Sequence, residues 1–405
     1  MTTLQFICEN IDETTRIYTK EPKGKKSLIG LPYPFTSPCI DDIFQEMYYW
    51  DTYFTNKGLL QIEKQEQAIN NVRNFLYLLS NYGKIPNGNR IDYLSRSQPP
   101  FLGLMLEDIL QAQPSAIPLQ EAFDGLEKEY LFWQTKRIAP NGLNRYGCDL
   151  PETELARKLH VAGYRKRTGK KVAYTVENAY NILCECEAGW DFSPRFSLQC
   201  SSYNPVDLNC LLYKDELLLS KWANELGYAE KSTHYAQAAK ARKEKMLCLM
   251  CENGLYFDYN FESEKRSSIL SCASLFPYFV ELDENITGYK KTLSRLECAY
   301  GVVACDSKEN CYQWSAPNSW APLNFVAFYA AKRLNLGREA KRIAEKYVKA
   351  TDVLFVKTGK LWEKYNAKNG ELDDNSEYGT PSMLGWSAGV YIVCAQYLEE
   401  ARGKK

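Results

Sequence analysis

Histidine is nearly missing from this chain: His160 and His234 are the only two among 405 residues. A Ser–His–Asp relay, a multi-histidine metal site and a histidine-based epimerase are all starved of their central group. Net charge is missing too, because 50 Lys plus Arg balance 50 Asp plus Glu. That balance argues against a nucleic-acid or membrane-surface footprint. No apolar run is long enough to span a bilayer, and the opening "MTTLQFICENIDETTRIYTK" carries acids where a signal peptide needs an apolar stretch. The expectation from these absences is a cytoplasmic protein. Fourteen cysteines occur as singles or loose pairs, and no second CxxC completes a zinc site, so they read as reduced core thiols with no metal. No repeat of fixed period marks a purely structural array.

What the chain has is helical periodicity and rings. Apolar residues at three- and four-residue intervals recur in seven strong stretches, among them "IEKQEQAINNVRNFLYLLSNYG", "VDLNCLLYKDELLLSKWANELG" and "REAKRIAEKYVKATDVLFVKTG". The first and the third end at Gly83 and Gly359, where glycine suits the left-handed stop of a helix. The reading is an all-α chain. No composition break divides it, so residues 1–405 read as one domain. Between the helices lie turn-rich loops with a disproportionate share of Trp, Tyr, Arg and Asn, and loops on a rigid scaffold commonly carry function.

Three of these segments set carboxylates among aromatics: "EMYYWDTYF" with Glu46 and Asp51, "EAGWDFSPRF" with Glu187 and Asp191, and "NSEYGTPSMLGW" with Glu377. Two carboxylates across a pocket can cleave a glycosidic bond, one protonating the leaving oxygen and the other activating water. Partial desolvation would help Asp191 hold a proton. Spacing alone leaves open that each acid caps a helix or pairs with an arginine, for instance Asp191 with Arg195. "NGNRIDYLSRSQPPF" adds Arg90, Arg96, Ser97 and Gln98, suited either to sugar hydroxyls or to ordinary turn chemistry.

Taken in order, "EMYYWDTYF", "IPNGNRIDYLSRSQPPF", "EAGWDFSPRF", "PVDLNCLLY", "GLYFDYN", "QWSAPNSWAPL", "WEKYN" and "SEYGTPSMLGWSAGVY" resemble the trehalase family, glycoside hydrolase family 37, related to the family 63 small α-glycosidases. The resemblance runs from about Pro34 to Tyr391. It implies an (α/α)6 toroid of paired helices, inversion at the anomeric carbon, a small sugar as substrate and no cofactor. It places the general acid at Asp191 and the general base at Glu377. Sugar-pocket positions fall on Trp50, Asp51, Asn87, Arg96, Gln98 and Glu152, with Trp314, Trp320, Tyr378 and Trp386 forming the wall.

The departures bear on substrate. Ile43 and Leu150 stand where the family has arginines, Ser315 stands for an aspartate, and Asp373 and Asp374 replace glycines. Each lost arginine removes charge-assisted donors worth ~1.5 to 3 kcal/mol. α,α-Trehalose leads as the substrate, with glucosylglycerate or mannosylglycerate as the alternative and an inactive sugar-binding protein behind both. For an anionic aglycone the candidate basic residues are Arg145, Arg165 and Lys166. The basic stretch 154–172, "ELARKLHVAGYRKRTGKKV", reads as a solvated loop or as a flap over the pocket mouth.

Overall fold

The computed structural model describes residues 1–21, 27–41, 43–309, 311–372 and 380–403. Among these residues the chain is built from fifteen α-helices and a few two- and three-residue strands. Two kinds of helix alternate along it. The outer kind shows a stripe: Gln65–Tyr82 buries Ala68, Ile69, Val72, Phe75, Leu78 and Leu79 on one face and stops at Gly83, whose φ is 72°. The inner kind is buried nearly all round, as in Tyr49–Leu59, where only Lys57 is less than buried.

Six inner segments pack side by side in a closed ring: Tyr49–Leu59, Leu102–Ala112, Val206–Glu225, the 3-10 and α turn Cys272–Phe279, Ala321–Arg333 and Gly385–Gly403. Thr3–Asn10, Gln65–Tyr82, Leu119–Lys136, Ala229–Met250, Ile286–Leu296 and Gly337–Thr358 lie outside them, so the chain alternates outer and inner in an all-α toroid. The ring closes between Tyr49–Leu59 and Gly385–Gly403 on two glycines. A Cβ on Gly389 would lie 2.1 Å from the Phe54 carbonyl oxygen, and one on Gly58 would lie 2.5 Å from the Gly389 Cα. The middle is filled by rings rather than left open: Tyr53 stacks on Phe101 at 4.7 Å, and Phe54 and Phe279 meet Phe325 edge-on at 5.5 and 6.2 Å.

Inner-to-outer connections are short, such as residues 226–228 and 334–336, whereas outer-to-inner ones are long, including 83–101, 137–205, 297–320 and 359–384. The long loops therefore gather over the N-terminal ends of the inner helices. An antiparallel pair, Asn318–Trp320 with Lys364–Asn366, ties two of them together and sets Trp320 opposite Lys364.

Two expectations are corrected here. Trp50 and Asp51 sit in the first turn of the helix Tyr49–Leu59, and Glu187 ends the helix Val176–Glu187. Tyr49–Leu59, buried on nearly every side, lacks the apolar period by which it could be read. The stretch 154–172 holds a helix, Leu159–Thr168, ended by Gly169 at φ 70°. Leu159 is left exposed, but Val161 and Tyr164 are buried in a small cluster with Phe192 and Tyr312.

Candidate active site

Where the long loops meet, a cavity of about 670 Å³ opens over the inner ring. Its wall is tryptophan. Trp314 and Trp320 stack in parallel at 3.8 Å, Trp190 stacks behind Trp314 at 5.3 Å, and Trp386 stands edge-on to Trp50 and Trp320 at 5.9 Å each. Flat apolar faces beside polar groups suit a ring that is greasy above and below and hydroxylated at its rim.

The polar groups come from four loops that are stapled together. Gln98 Oε1 accepts the backbone N–H of Trp50 at 3.1 Å, satisfying an orphan donor of the helix that bears Asp51. Asn87 donates to the Cys186 carbonyl at 3.2 Å, joining the Asn–Arg loop to the acid loop. Glu187 is wholly buried and accepts from Ser97 N at 2.8 Å, from Gly147 N at 2.6 Å and from Arg137 on both oxygens. Glu46 pairs with Arg90 and accepts from the Tyr48 hydroxyl. Of the acids set among aromatics, Glu46 and Glu187 thus hold the structure together, while Asp51 and Asp191 line the cavity.

The loop that presents Asp191 begins at Gly189, at φ 74°, where a Cβ would lie 3.1 Å from the Trp50 ring. It is anchored by Arg195, which is buried, bonded to Asp207 and Asp258 through four contacts of 2.8 to 3.1 Å, and stacked on Trp190. Arg195 is therefore unavailable to Asp191, contrary to the pairing that adjacency suggested. Asp191 is paired instead with Arg167, whose guanidinium donates to Oδ2 at 2.7 Å and to the Asp191 carbonyl at 2.6 Å.

Asp191 is not desolvated, since its side chain is 31% exposed. Asp51 is buried. Burial, reinforced by repulsion from Glu363 and Asp191, holds its carboxyl well above the usual range. A protonated Asp51 can donate to a sugar hydroxyl as well as accept from one. Burial, with Asp191 nearby, likewise pushes the Cys186 thiol up to about 12, which removes it as a thiolate nucleophile.

Of the residues expected in the site, Asp191, Trp50, Asp51, Asn87, Arg96, Gln98, Trp314, Trp320 and Trp386 line this one cavity. Glu152 does not. It is exposed at the start of the short helix Glu152–Leu155. Glu377 and Tyr378, with Asp373 and Asp374, lie outside the described residues. Ile43 lines the mouth and is 53% exposed, while Leu150 packs against the small cluster around Tyr164.

A sequence model of the trehalases matches residues 4–399. The chain belongs to the trehalase family. A periplasmic trehalase of Xanthomonas oryzae is 32% identical over 394 residues, covering 91% of this chain and 68% of that one. Among solved structures, the neutral trehalase Nth1 of Saccharomyces cerevisiae superposes with a TM-score of 0.77 at 26% identity, over 98% of this chain and 80% of that one. A family 63 mannosylglycerate hydrolase of Thermus thermophilus, at 15% identity and a TM-score of 0.61 over 96% and 98% of the two chains, shares the fold. This chain is thus a glycosidase of the trehalase family on an all-α toroid. The expected cytoplasmic location is overturned, because the bacterial relatives are periplasmic trehalases. An absent apolar run carries no information on compartment.

For a trehalase-family cavity, the residues that sequence reading missed are informative. Gln313, which directly precedes Trp314, is 4% exposed and donates Nε2 to the Asp191 carbonyl, and its Oε1 has no partner among the described residues. Arg96, laid over the Tyr93 ring, likewise keeps a buried Nε with no acceptor among the described residues. Glu363 of "WEKYN" also lines the cavity, paired with buried Lys364 at 3.0 Å. Arg167 was missed by helix register. Arg165 turns to the Tyr174 ring and the Val172 carbonyl, Lys166 is exposed and Arg145 donates to Ser201, so none of the three named basic residues lines the cavity.

Proposed function

We propose that the protein is an inverting α,α-trehalase in which Asp191 is the general acid and Glu377 the general base. The observation that carries the proposal is that Asp191 shares one cavity with the tryptophan wall and with Asp51, Arg96 and Gln98. The cavity volume of about 670 Å³ lies within the ~300–1,000 Å³ usual for small-molecule sites. One glucose packs on the tryptophans, with Asp51, Arg96 and Gln98 at its hydroxyls. Asp191 gives its proton to the glycosidic oxygen as the bond from that oxygen to the anomeric carbon breaks. Water attacks the opposite face and loses a proton to Glu377. Residues 1–405 act as one catalytic domain, in a periplasmic setting like that of the bacterial relatives.

The test follows fresh hydrolysis of trehalose by proton NMR. Inversion releases one α-glucose and one β-glucose, whereas retention releases only α-glucose. Asp191→Asn should lower kcat by about 10²–10⁴-fold with the melting curve preserved. Near-wild-type turnover by that variant overturns the assignment.

A further inference from the structure

We infer that Arg167 is a positioning residue for leaving-group departure: it occupies one oxygen of Asp191, so that the acid carries its proton on the other. The inference rests on Asp191 being the general acid. Arg167 sits on the helix Leu159–Thr168, one turn from Tyr164, and that tyrosine docks the helix. The Tyr164 hydroxyl meets that of Tyr312 at 3.0 Å, and its ring stands edge-on to Phe192 at 4.7 Å. The Arg167 guanidinium lies over the same Phe192 ring at 4.5 Å.

From there it reaches Asp191 twice, at Oδ2 and at the backbone carbonyl. Gln313 Nε2 also donates to that carbonyl, at 2.6 Å. The residue is therefore held at its main chain and at one carboxyl oxygen. Among the described residues no hydrogen bond engages Oδ1.

A guanidinium has donors and no acceptor. A hydrogen on Oδ2 would point at an N–H, so protonated Asp191 keeps Oδ2 as an acceptor and carries its hydrogen on Oδ1. When the glycosidic bond breaks, its electron pair goes to the leaving oxygen and the Oδ1 proton follows. Asp191 is left as a carboxylate beside a cation already in place, so Arg167 meets charge where it develops. A side chain that can accept as well as donate would lose the first effect, and a neutral one would lose the second.

The experiment compares trehalose, whose leaving sugar must be protonated, with α-glucosyl fluoride, whose fluoride leaves with far less need of a proton. Arg167→Gln supplies an amide that can accept the carboxyl hydrogen. Arg167→Lys supplies a cation that only donates. Arg165→Gln, on the same helix but turned to Tyr174, is the control. The expected result is that Arg167→Gln loses about 10- to 100-fold in kcat on trehalose and stays within about threefold of wild type on the fluoride. Arg167→Lys recovers most of that loss, and Arg165→Gln changes neither rate. Equal losses on both substrates, or Gln and Lys variants that behave alike, would overturn the inference. If Arg167→Gln does not fold, Arg167→Lys decides alone, since any loss it shows must fall on trehalose more than on fluoride. Wild-type protein that turns over neither substrate sinks the hydrolase reading itself and is told apart by that result.

Discussion

Gln98 Oε1 accepts the backbone N–H of Trp50 at 3.1 Å, so one side chain both caps the helix that carries Asp51 and lines the cavity. Among the described residues its Nε2 donates no hydrogen bond. The two roles can be separated. Gln98→Glu keeps an acceptor at the helix N-terminus, where negative charge is favourable, but gives up the donor. It should keep its unfolding midpoint while kcat/KM on trehalose falls at least about tenfold. Gln98→Leu should lose both, with about 1 kcal/mol of stability lost with the cap. Equal stability losses in the two variants would show that capping is not what Oε1 does.

The long outer helices were legible because a half-buried helix writes its period into the sequence, as Gln65–Tyr82 does, and the inner Val206–Glu225 showed through its length. Tyr49–Leu59 was not, because a helix buried all round has no polar face to alternate with. The cavity residues were found through ordered motifs rather than through spacing, and spacing misled where it was trusted. Asp191 has Arg195 four residues on, yet burial between Asp207 and Asp258 consumes that arginine. The true partner, Arg167, comes from a basic stretch whose two buried apolar residues are too few to announce a helix. Desolvation was expected at Asp191, beside its aromatic neighbours, but those rings turn away into the core, and burial acts at Asp51.

Ring closure makes a prediction about two glycines of opposite kind. A Cβ at Gly389 would sit 2.1 Å from the Phe54 carbonyl oxygen, which is backbone and cannot swing aside. Gly389→Ala should therefore cost about 3 kcal/mol or more. Gly163, within the helix Leu159–Thr168, has nothing within 4 Å of its missing Cβ. There Ala should stabilise by about 0.5–1 kcal/mol. Urea unfolding of both variants checks the pair, and a Gly389→Ala variant as stable as wild type would mean that the two helices are free to part.

Glu187 is expected to be structural in a way that activity can still feel. Its two oxygens hold Arg137, Gly147 and Ser97, and Ser97 lies between Arg96 and Gln98 of the cavity wall. Glu187→Gln takes one of two counter-charges from buried Arg137, which keeps Asp149 at 2.8 Å, so a loss of about 1.5–3 kcal/mol is expected. KM for trehalose should rise along with that loss, as Arg96 and Gln98 shift. Loss of stability with KM unchanged would place the sugar contacts elsewhere.

Stability should fall as pH rises toward neutrality, and Glu129 supplies a way to see it. This glutamate is buried in the outer helix Leu119–Lys136, accepts from the Tyr49 hydroxyl at 2.6 Å, and burial pushes its carboxyl from 4.5 up to about 8. The folded protein therefore keeps a proton there that the unfolded chain releases once pH passes about 4.5. Stabilisation from this group is complete below that point and is lost on the way up to about pH 8, at about 1.4 kcal/mol per pH unit. Glu129→Gln keeps an acceptor for Tyr49 and does not titrate. Urea unfolding of wild type and variant at about pH 5.5 and 7.5 should show the variant gaining about 2 to 3 kcal/mol relative to wild type between the two. Groups that titrate alike in both proteins cancel from that difference. A difference that does not change with pH would mean that Glu129 is ionised in the fold and has found a cation to face.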